Sequence, residues 1–143
     1  MIVVDVNTIA YLWIPGEMSE CAQRVLARDP HWVSPILWRS EFRNILAGYL
    51  RRGDLDSDTV DRCLTSAEAQ LTGHEYLIPS ALVMRKAATS VCSAYDCEYV
   101  ALAEDLKTTL VTSDKQLLRE FPLLTTSLKT YAEIAQPEDP HAI

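Results

Sequence analysis

The first eight residues constrain the fold of this chain more than any other stretch. Residues 2–4 form an apolar run without polar alternation, which is typical of a strand buried on both faces of a parallel sheet. The run ends at Asp5, and a helical pattern begins soon after it. Polar side chains just beyond a buried parallel strand occupy the edge where open α/β folds bind ligands. Asp5, Asn7 or Thr8 could equally serve as the N-cap of the next helix, since all three types are good caps.

Length and charge narrow the classes of protein to consider. The 143 residues predict one domain with a sizeable core, and no apolar run approaches the ~20 residues of a membrane helix. The chain opens on the strand with no basic segment before it, so we expect no signal peptide and a cytoplasmic protein. A net charge of −7 argues against a protein that holds nucleic acid mainly through its charge. It leaves open an enzyme that acts on nucleic acid at a metal site, because cations reverse the local sign of an acidic pocket.

The sequence lacks the motifs of several common metal-binding, nucleotide-binding and catalytic sites. The cysteines form no Cys-x-x-Cys pair and no histidine has zinc-ligand spacing, so we expect reduced, mostly buried thiols. The four glycines supply no P-loop or dinucleotide-binding loop, and no Ser-His-Asp set is evident. The cysteines are Cys21, Cys63, Cys92 and Cys97.

Short strands and helices alternate along the chain, which predicts a parallel α/β sheet with helices on both faces. We predict strands at 2–4, 32–33, 76–78, 109–111 and 123–125. We predict helices at 9–14, 17–27, 34–52, 57–71, 80–91, 93–104, 115–120 and 127–135. In the third of these, Ser34 is expected to be the N-cap and Pro35 the first helical residue. We expect residues 1–135 to form the domain and 136–143 to form a flexible tail.

Four carboxylates occupy positions in this predicted fold where a function would be expected. Asp5 and Asp114 each follow a buried strand and precede a helix, so a parallel sheet places both at one edge. Glu41 lies beside the apolar stripe of its helix, where an isolated carboxylate is costly unless it is paired or metal-bound. A nearby arginine could provide that pairing.

The fourth carboxylate, Asp96, lies near the start of a helix. Together with Ser93 it fits a capping box, which would explain it without any function. It also shares a helical face with Tyr99, Val100 and Ala103, which should point into the core. Asp96 is therefore expected where the core meets the helix end.

If the four acids meet, their chemistry is restricted. Clustered carboxylates repel one another, so such a site must take up protons or bind cations. Oxygen ligands without nearby histidine or cysteine favour Mg²⁺ or Mn²⁺. Such ions can activate a water molecule and stabilise the leaving oxygen of a phosphodiester.

Four motifs, in order, resemble the PIN-domain ribonucleases, and among them the VapC-type toxins of bacterial toxin–antitoxin pairs. The motifs read IVVDVNT, SPILWRSEFRN, SAYDCEYVALAE and LVTSDKQL, and the third is the most specific. The resemblance spans residues 2 to about 135. It implies a three-layer α/β/α domain with a short, mainly parallel twisted sheet.

The resemblance also implies roles for individual residues. Its metal-binding acids fall on Asp5, Glu41, Asp96 and Asp114, and its supporting polar residues fall on Asn7 and Thr112. Cys97 stands where the family commonly has a small apolar residue. The family further implies a homodimer and a short antitoxin peptide lying over the active site. Apolar residues 11–13, which look exposed in the sequence, also favour a homodimer.

The sequence therefore predicts a Mg²⁺- or Mn²⁺-dependent endoribonuclease, with Arg39 and Arg43 as candidate RNA contacts. Arginines that merely face solvent would explain the same pattern. One alternative is a non-catalytic binding module with the same fold. Another is a haloacid-dehalogenase-type phosphatase, although that class needs an acid two residues after Asp5, where this chain has Asn7.

Overall fold

The computed structural model describes residues 1–134. The predicted tail, 136–143, and the last residue of the predicted domain lie outside that range. The strands are β1 (Ile2–Val4), β2 (Trp32–Pro35), β3 (Glu75–Tyr76), β4 (Leu110–Thr112) and β5 (Thr125–Ser127). The helices are α1 (Val6–Trp13), α2 (Ser19–Arg28), α3 (Trp38–Arg52), α4 (Ser57–Leu71), α5 (Ser80–Ala88), α6 (Ala94–Asp105), α7 (Lys115–Glu120) and α8 (Leu128–Glu133).

The strands form one parallel sheet in the order β3-β2-β1-β4-β5. β1 is the central strand, and all three of its residues are buried. Because side chains alternate along a strand, Ile2 and Val4 pack into one hydrophobic cluster and Val3 packs into the other. Helices α1 to α4 and α8 supply the first cluster, and α5 to α7 supply the second. This confirms the predicted parallel α/β/α architecture.

The prediction that Ser34 and Pro35 begin a helix is wrong. Both residues extend β2, where they pair with Glu75 and Tyr76 of β3. The Ser34 hydroxyl donates to the Val4 carbonyl oxygen, which gives a buried polar group its partner. The amides of Ser34 and Ile36, on either side of Pro35, donate to the carbonyl oxygens of His74 and Tyr76, so the pairing with β3 needs no N–H from Pro35. Sheet pairing therefore outweighs a local preference for helix, and α3 begins only at Trp38.

Smaller differences have equally local causes. α1 starts at Val6, earlier than predicted, because the Asp5 side chain caps it by accepting from the Thr8 amide. α5 ends at Ala88, and its buried residue is Val83. Met84 and Val91, which the helical spacing groups with Ala81, Ala87 and Ala88, are exposed. The four cysteines are unpaired, and three of them are buried, as predicted. Within residues 1–134, no helix has both the length and the apolar character needed to cross a membrane.

Candidate active site

Asp5 and Asp114 lie at the carboxyl edge of the sheet, each at the start of a helix. Asp5 Oδ1 accepts from the Thr8 amide at 3.0 Å, and Asp114 Oδ1 accepts from the Leu117 amide at 3.0 Å. Both carboxylates are therefore N-caps, which for Asp5 is the alternative interpretation given above. Capping uses only one oxygen of each side chain. It also fixes both acids at the edge that parallel α/β folds use for ligands.

Asp5 is the most buried of the four acids, with 5% of its surface exposed. Burial raises its pKa, and the charge of Asp114 raises it further. Hydrogen bonds oppose this effect. The Thr8 hydroxyl donates to Oδ1 at 2.8 Å, and the Thr112 hydroxyl donates to Oδ2. Both threonines are fully buried, so Asp5 is held in one orientation.

Glu41 occupies the first turn of α3 and is half-buried. Its partner in the described part of the chain is Tyr99, whose hydroxyl donates to Glu41 Oε1 at 2.6 Å, and not an arginine. Burial raises the pKa of Glu41, the Tyr99 hydrogen bond lowers it, and the charges of Asp96 and Asp5 raise it. The pKa of Tyr99 is itself raised far above its ordinary value, first by burial and then by Glu41.

Asp96 lies in the first turn of α6, where its amide donates to the Ser93 hydroxyl oxygen at 3.1 Å. That bond confirms the Ser93 half of the predicted capping box; among the described residues, the Asp96 carboxylate makes no bond to the Ser93 amide. The Asp96 carboxyl is half-buried, and its pKa is raised first by burial and then by the charge of Asp114. The cap and the electrostatic link to the other acids therefore coexist in one residue.

The four acids share one electrostatic environment at this edge. Asp114 acts on Asp5 and Asp96, and both Asp5 and Asp96 act on Glu41. No three Asp, Glu, His or Cys side chains within residues 1–134 lie close enough together to hold one ion directly. The donor set still fits Mg²⁺ or Mn²⁺, because it consists of carboxylate oxygens and Mg²⁺ usually keeps several waters between itself and a protein. Metal binding by these acids stays a prediction.

The predicted supporting residues have different surroundings. Thr112 is buried, and its hydroxyl oxygen accepts from the Asp114 amide at 3.0 Å while the hydroxyl donates to Asp5. One side chain thus orients two acids. Asn7 is exposed in the first turn of α1 and lines a groove beside α2 and α3.

The two candidate RNA contacts also differ. The Arg39 guanidinium forms two hydrogen bonds with Glu75, the Nη2–Oε1 distance being 2.8 Å, and also pairs with Glu68 at 3.3 Å. Arg43, one turn later on α3, is exposed and has no ion pair among the residues described here. Arg43 is therefore the better placed of the two to contact a phosphate.

Two residues contribute to the candidate active site in ways that the sequence patterns did not predict. Thr8 was considered only as a helix cap, yet its hydroxyl is 2.8 Å from Asp5 Oδ1. Tyr99 was placed in the core, yet its hydroxyl reaches Glu41. A signal for Tyr99 was present, because a tyrosine at a core position usually has a hydrogen-bond partner and Asp96 lies three residues before it.

Comparisons with known proteins agree with this architecture. The family model described as PIN domain matches residues 2–122. The chain is 34% identical over 128 residues to Ribonuclease VapC3 of Pyrobaculum aerophilum, a match that covers 87% of this chain and 98% of the relative. The crystal structure of PAE2754 from Pyrobaculum aerophilum superposes with a TM-score of 0.73, covering 91% of this chain and 92% of that one. At 21% identity, this second likeness supports the fold alone.

Proposed function

The chain belongs to the PIN-domain family, and from this premise we propose that it is a Mg²⁺- or Mn²⁺-dependent endoribonuclease. We further propose that it is the toxin of a toxin–antitoxin pair. The observation that carries the catalytic proposal is the set of hydrogen bonds at one sheet edge. Thr112 connects Asp5 to the Asp114 amide, and Tyr99, on the helix of Asp96, bonds to Glu41. Similarity to a relative named as a VapC ribonuclease supports the RNA substrate and the toxin role. A cellular RNA substrate is consistent with action in the cytoplasm.

The proposed mechanism assigns a separate task to each part of the site. Asp5, held by Thr8 and Thr112, provides a fixed carboxylate at the centre of the edge. Glu41, Asp96 and Asp114 add negative charge around it and would hold the cation together with Asp5, in part through the ion's bound waters. A bound Mg²⁺ or Mn²⁺ would supply Lewis acidity for attack of water on the phosphodiester. The protein contributes preorganisation, because hydrogen bonds fix these side chains before substrate arrives.

A groove between helices α1, α2 and α3 supports an antitoxin as partner. It has a volume of about 320 Å³, and Asn7 of α1 is part of its lining. Its apolar lining suits the apolar side of a short peptide segment, and Asn7 lies two residues from Asp5. A segment bound there would lie close to the catalytic edge. The other lining residues include Ala10, Tyr11, Ile14, Met18, Ile45 and Tyr49.

A homodimer also belongs to the proposal, but on a different face from the expected one. Residues 11–13 are half-buried and pack against the core, and the Trp13 indole donates to Gln70 at 2.8 Å. More exposed apolar side chains include Ile36 after β2, Leu77 after β3, Met84 within α5 and Tyr95 at the start of α6. Met84 and Tyr95 line one shallow depression. We propose this face for the dimer; its exposed members are Ile36, Leu77, Met84 and Tyr95.

Cleavage of RNA separates this proposal from its alternatives. The purified protein is incubated with a mixed RNA substrate, with Mn²⁺ or with a chelator. Cleavage that requires Mn²⁺ supports the nuclease. An RNA that binds but stays intact would instead indicate a non-catalytic binding module.

A further inference from the structure

One hydrogen bond joins the two helical layers at the candidate active site. α3, which carries Glu41, packs against α1 and α4 on one face of the sheet. α6, which carries Tyr99, packs against α5 and the strands on the other face. The Tyr99 hydroxyl donates to Glu41 Oε1 at 2.6 Å across the edge of the sheet.

The burial of Tyr99 makes this bond specific. Tyr99 is 2% exposed, and its ring belongs to the core, so the ring is fixed by packing. A buried hydroxyl without a partner is costly, and a hydrogen bond to a carboxylate is among the stronger ones. The bond therefore holds the Glu41 carboxylate on one side, while Oε2 has no hydrogen-bond partner in the part of the chain described.

Resting on the proposed nuclease function, we infer that Tyr99 is a positioning residue that fixes Glu41 Oε1 so that Oε2 is presented to the cation. Asp96 lies one helical turn before Tyr99 on the same face of α6. Tyr99 thus ties the acid of α3 to the helix that carries another acid. The geometry of the site then depends on this hydrogen bond between the two helical layers as well as on the positions of the strand ends.

The first test removes only the hydroxyl. Mn²⁺ affinity is measured by the electron paramagnetic resonance signal of free Mn²⁺ for the parent, Tyr99→Phe and Tyr131→Phe. Tyr131, a largely buried tyrosine of α8, is the matched control. We expect Tyr99→Phe to bind Mn²⁺ about tenfold more weakly, since partners that orient a ligand typically contribute a factor of this size. Tyr131→Phe should bind as the parent does.

A second measurement separates positioning from a general effect on folding. In a Glu41→Gln background, Tyr99→Phe should leave the residual Mn²⁺ affinity unchanged, because the effect operates through the Glu41 carboxylate. With RNA as substrate, Tyr99→Phe should lower kcat while KM stays within about twofold, because substrate does not contact the hydroxyl. Circular dichroism in chelator confirms that each variant is folded.

Three outcomes would overturn the inference. The first is a Mn²⁺ affinity of Tyr99→Phe within twofold of that of the parent. The second is a loss of Mn²⁺ affinity on Tyr99→Phe that is as large in the Glu41→Gln background as in the parent. The third is a parent that neither binds Mn²⁺ nor cleaves RNA, which would remove the proposed function as well. If the parent binds Mn²⁺ and cleaves RNA, and Tyr99→Phe does so equally well, only the positioning role of Tyr99 is overturned.

Discussion

The Thr112 hydroxyl donates a hydrogen bond to Oδ2 of Asp5 and so joins the ends of β4 and β1. The same hydroxyl oxygen accepts from the Asp114 amide. Because Thr112 is fully buried, its geometry is set by the sheet and not by solvent. A single threonine therefore fixes the relative positions of the two acids that follow neighbouring strands.

Replacing Thr112 by valine tests this role. Valine keeps the shape but leaves a buried carboxylate without one donor, so we expect a loss of about 1–3 kcal/mol in the free energy of unfolding. Urea denaturation in chelator measures the loss. Thr126→Val, at a half-buried position in β5, is the control and should change stability little. A Thr112→Val protein as stable as that control would remove the structural importance of the bond.

Metal-free stability should depend on pH in a defined direction. Burial raises the pKa of Asp5, Glu41 and Asp96, so between the unfolded and folded values the native state binds more protons. The free energy of unfolding should therefore fall as pH rises through that window. Asp56 and Glu75 have lowered pKa values, and their stabilisation is lost only as pH falls below their ordinary values near 4, outside this window.

Denaturation in chelator at about pH 5.5 and about pH 7.5 measures this dependence. We expect greater stability at the lower pH, and a smaller difference in Asp96→Asn, which cannot take up that proton. Equal stability of the parent at both values would contradict the raised pKa values of these buried acids.

Asp114→Asn separates a metal site from a set of independent helix caps. Asparagine caps about as well as aspartate, so the variant keeps α7 while removing a charge that raises the pKa of Asp5 and Asp96. In chelator it should melt no lower than the parent. A hundredfold excess of Mn²⁺ over its Kd should stabilise the parent by about 2.7 kcal/mol. The variant should lose most of that response, and an equal response in both proteins would contradict the site.

Arg39 and Arg43 lie one turn apart on α3, so substitutions at the two positions can be compared directly. Arg43→Gln should weaken RNA binding and reduce its salt dependence by about one counterion, because an exposed arginine can neutralise a phosphate. Arg39→Gln should mainly lower the free energy of unfolding, since Glu75 and Glu68 already engage its guanidinium. Filter binding across a salt series and urea denaturation distinguish the two effects. The reverse assignment would contradict our interpretation of the contacts.

Much of the fold follows from local patterns in the sequence. The apolar run before Asp5 predicts a fully buried central strand, and helix α4 has the bounds that its pattern predicts. Asp5 and Asp114 could be placed at one edge because both follow parallel strands. The shift of Ser34 and Pro35 into β2 could not be anticipated, because it depends on pairing with a strand 41 residues later in the chain.

The connections within the site were also outside the reach of sequence patterns. Helical spacing places Glu41 beside the core and Tyr99 within it, but it says nothing of their contact across 58 residues. Of the three hydrogen bonds that hold Asp5, the two from Thr8 are local, but the one from Thr112 joins residues 107 positions apart. Side-chain partners depend on how layers pack, and periodicity within one element does not encode that packing.

The most direct test of the central claim compares Asp96→Asn with Asp105→Asn. Both substitutions remove one carboxylate from α6. The charge of Asp114 contributes to the raised pKa of Asp96, whereas Asp105 is exposed at the far end of the helix. The measurement is the initial rate of RNA cleavage with Mn²⁺, with a chelator control. We predict that the parent and Asp105→Asn cleave at similar rates, and that Asp96→Asn loses at least about a hundredfold, or about 2.7 kcal/mol. Equal cleavage by Asp96→Asn and the parent would contradict the assignment of the acids as the catalytic site.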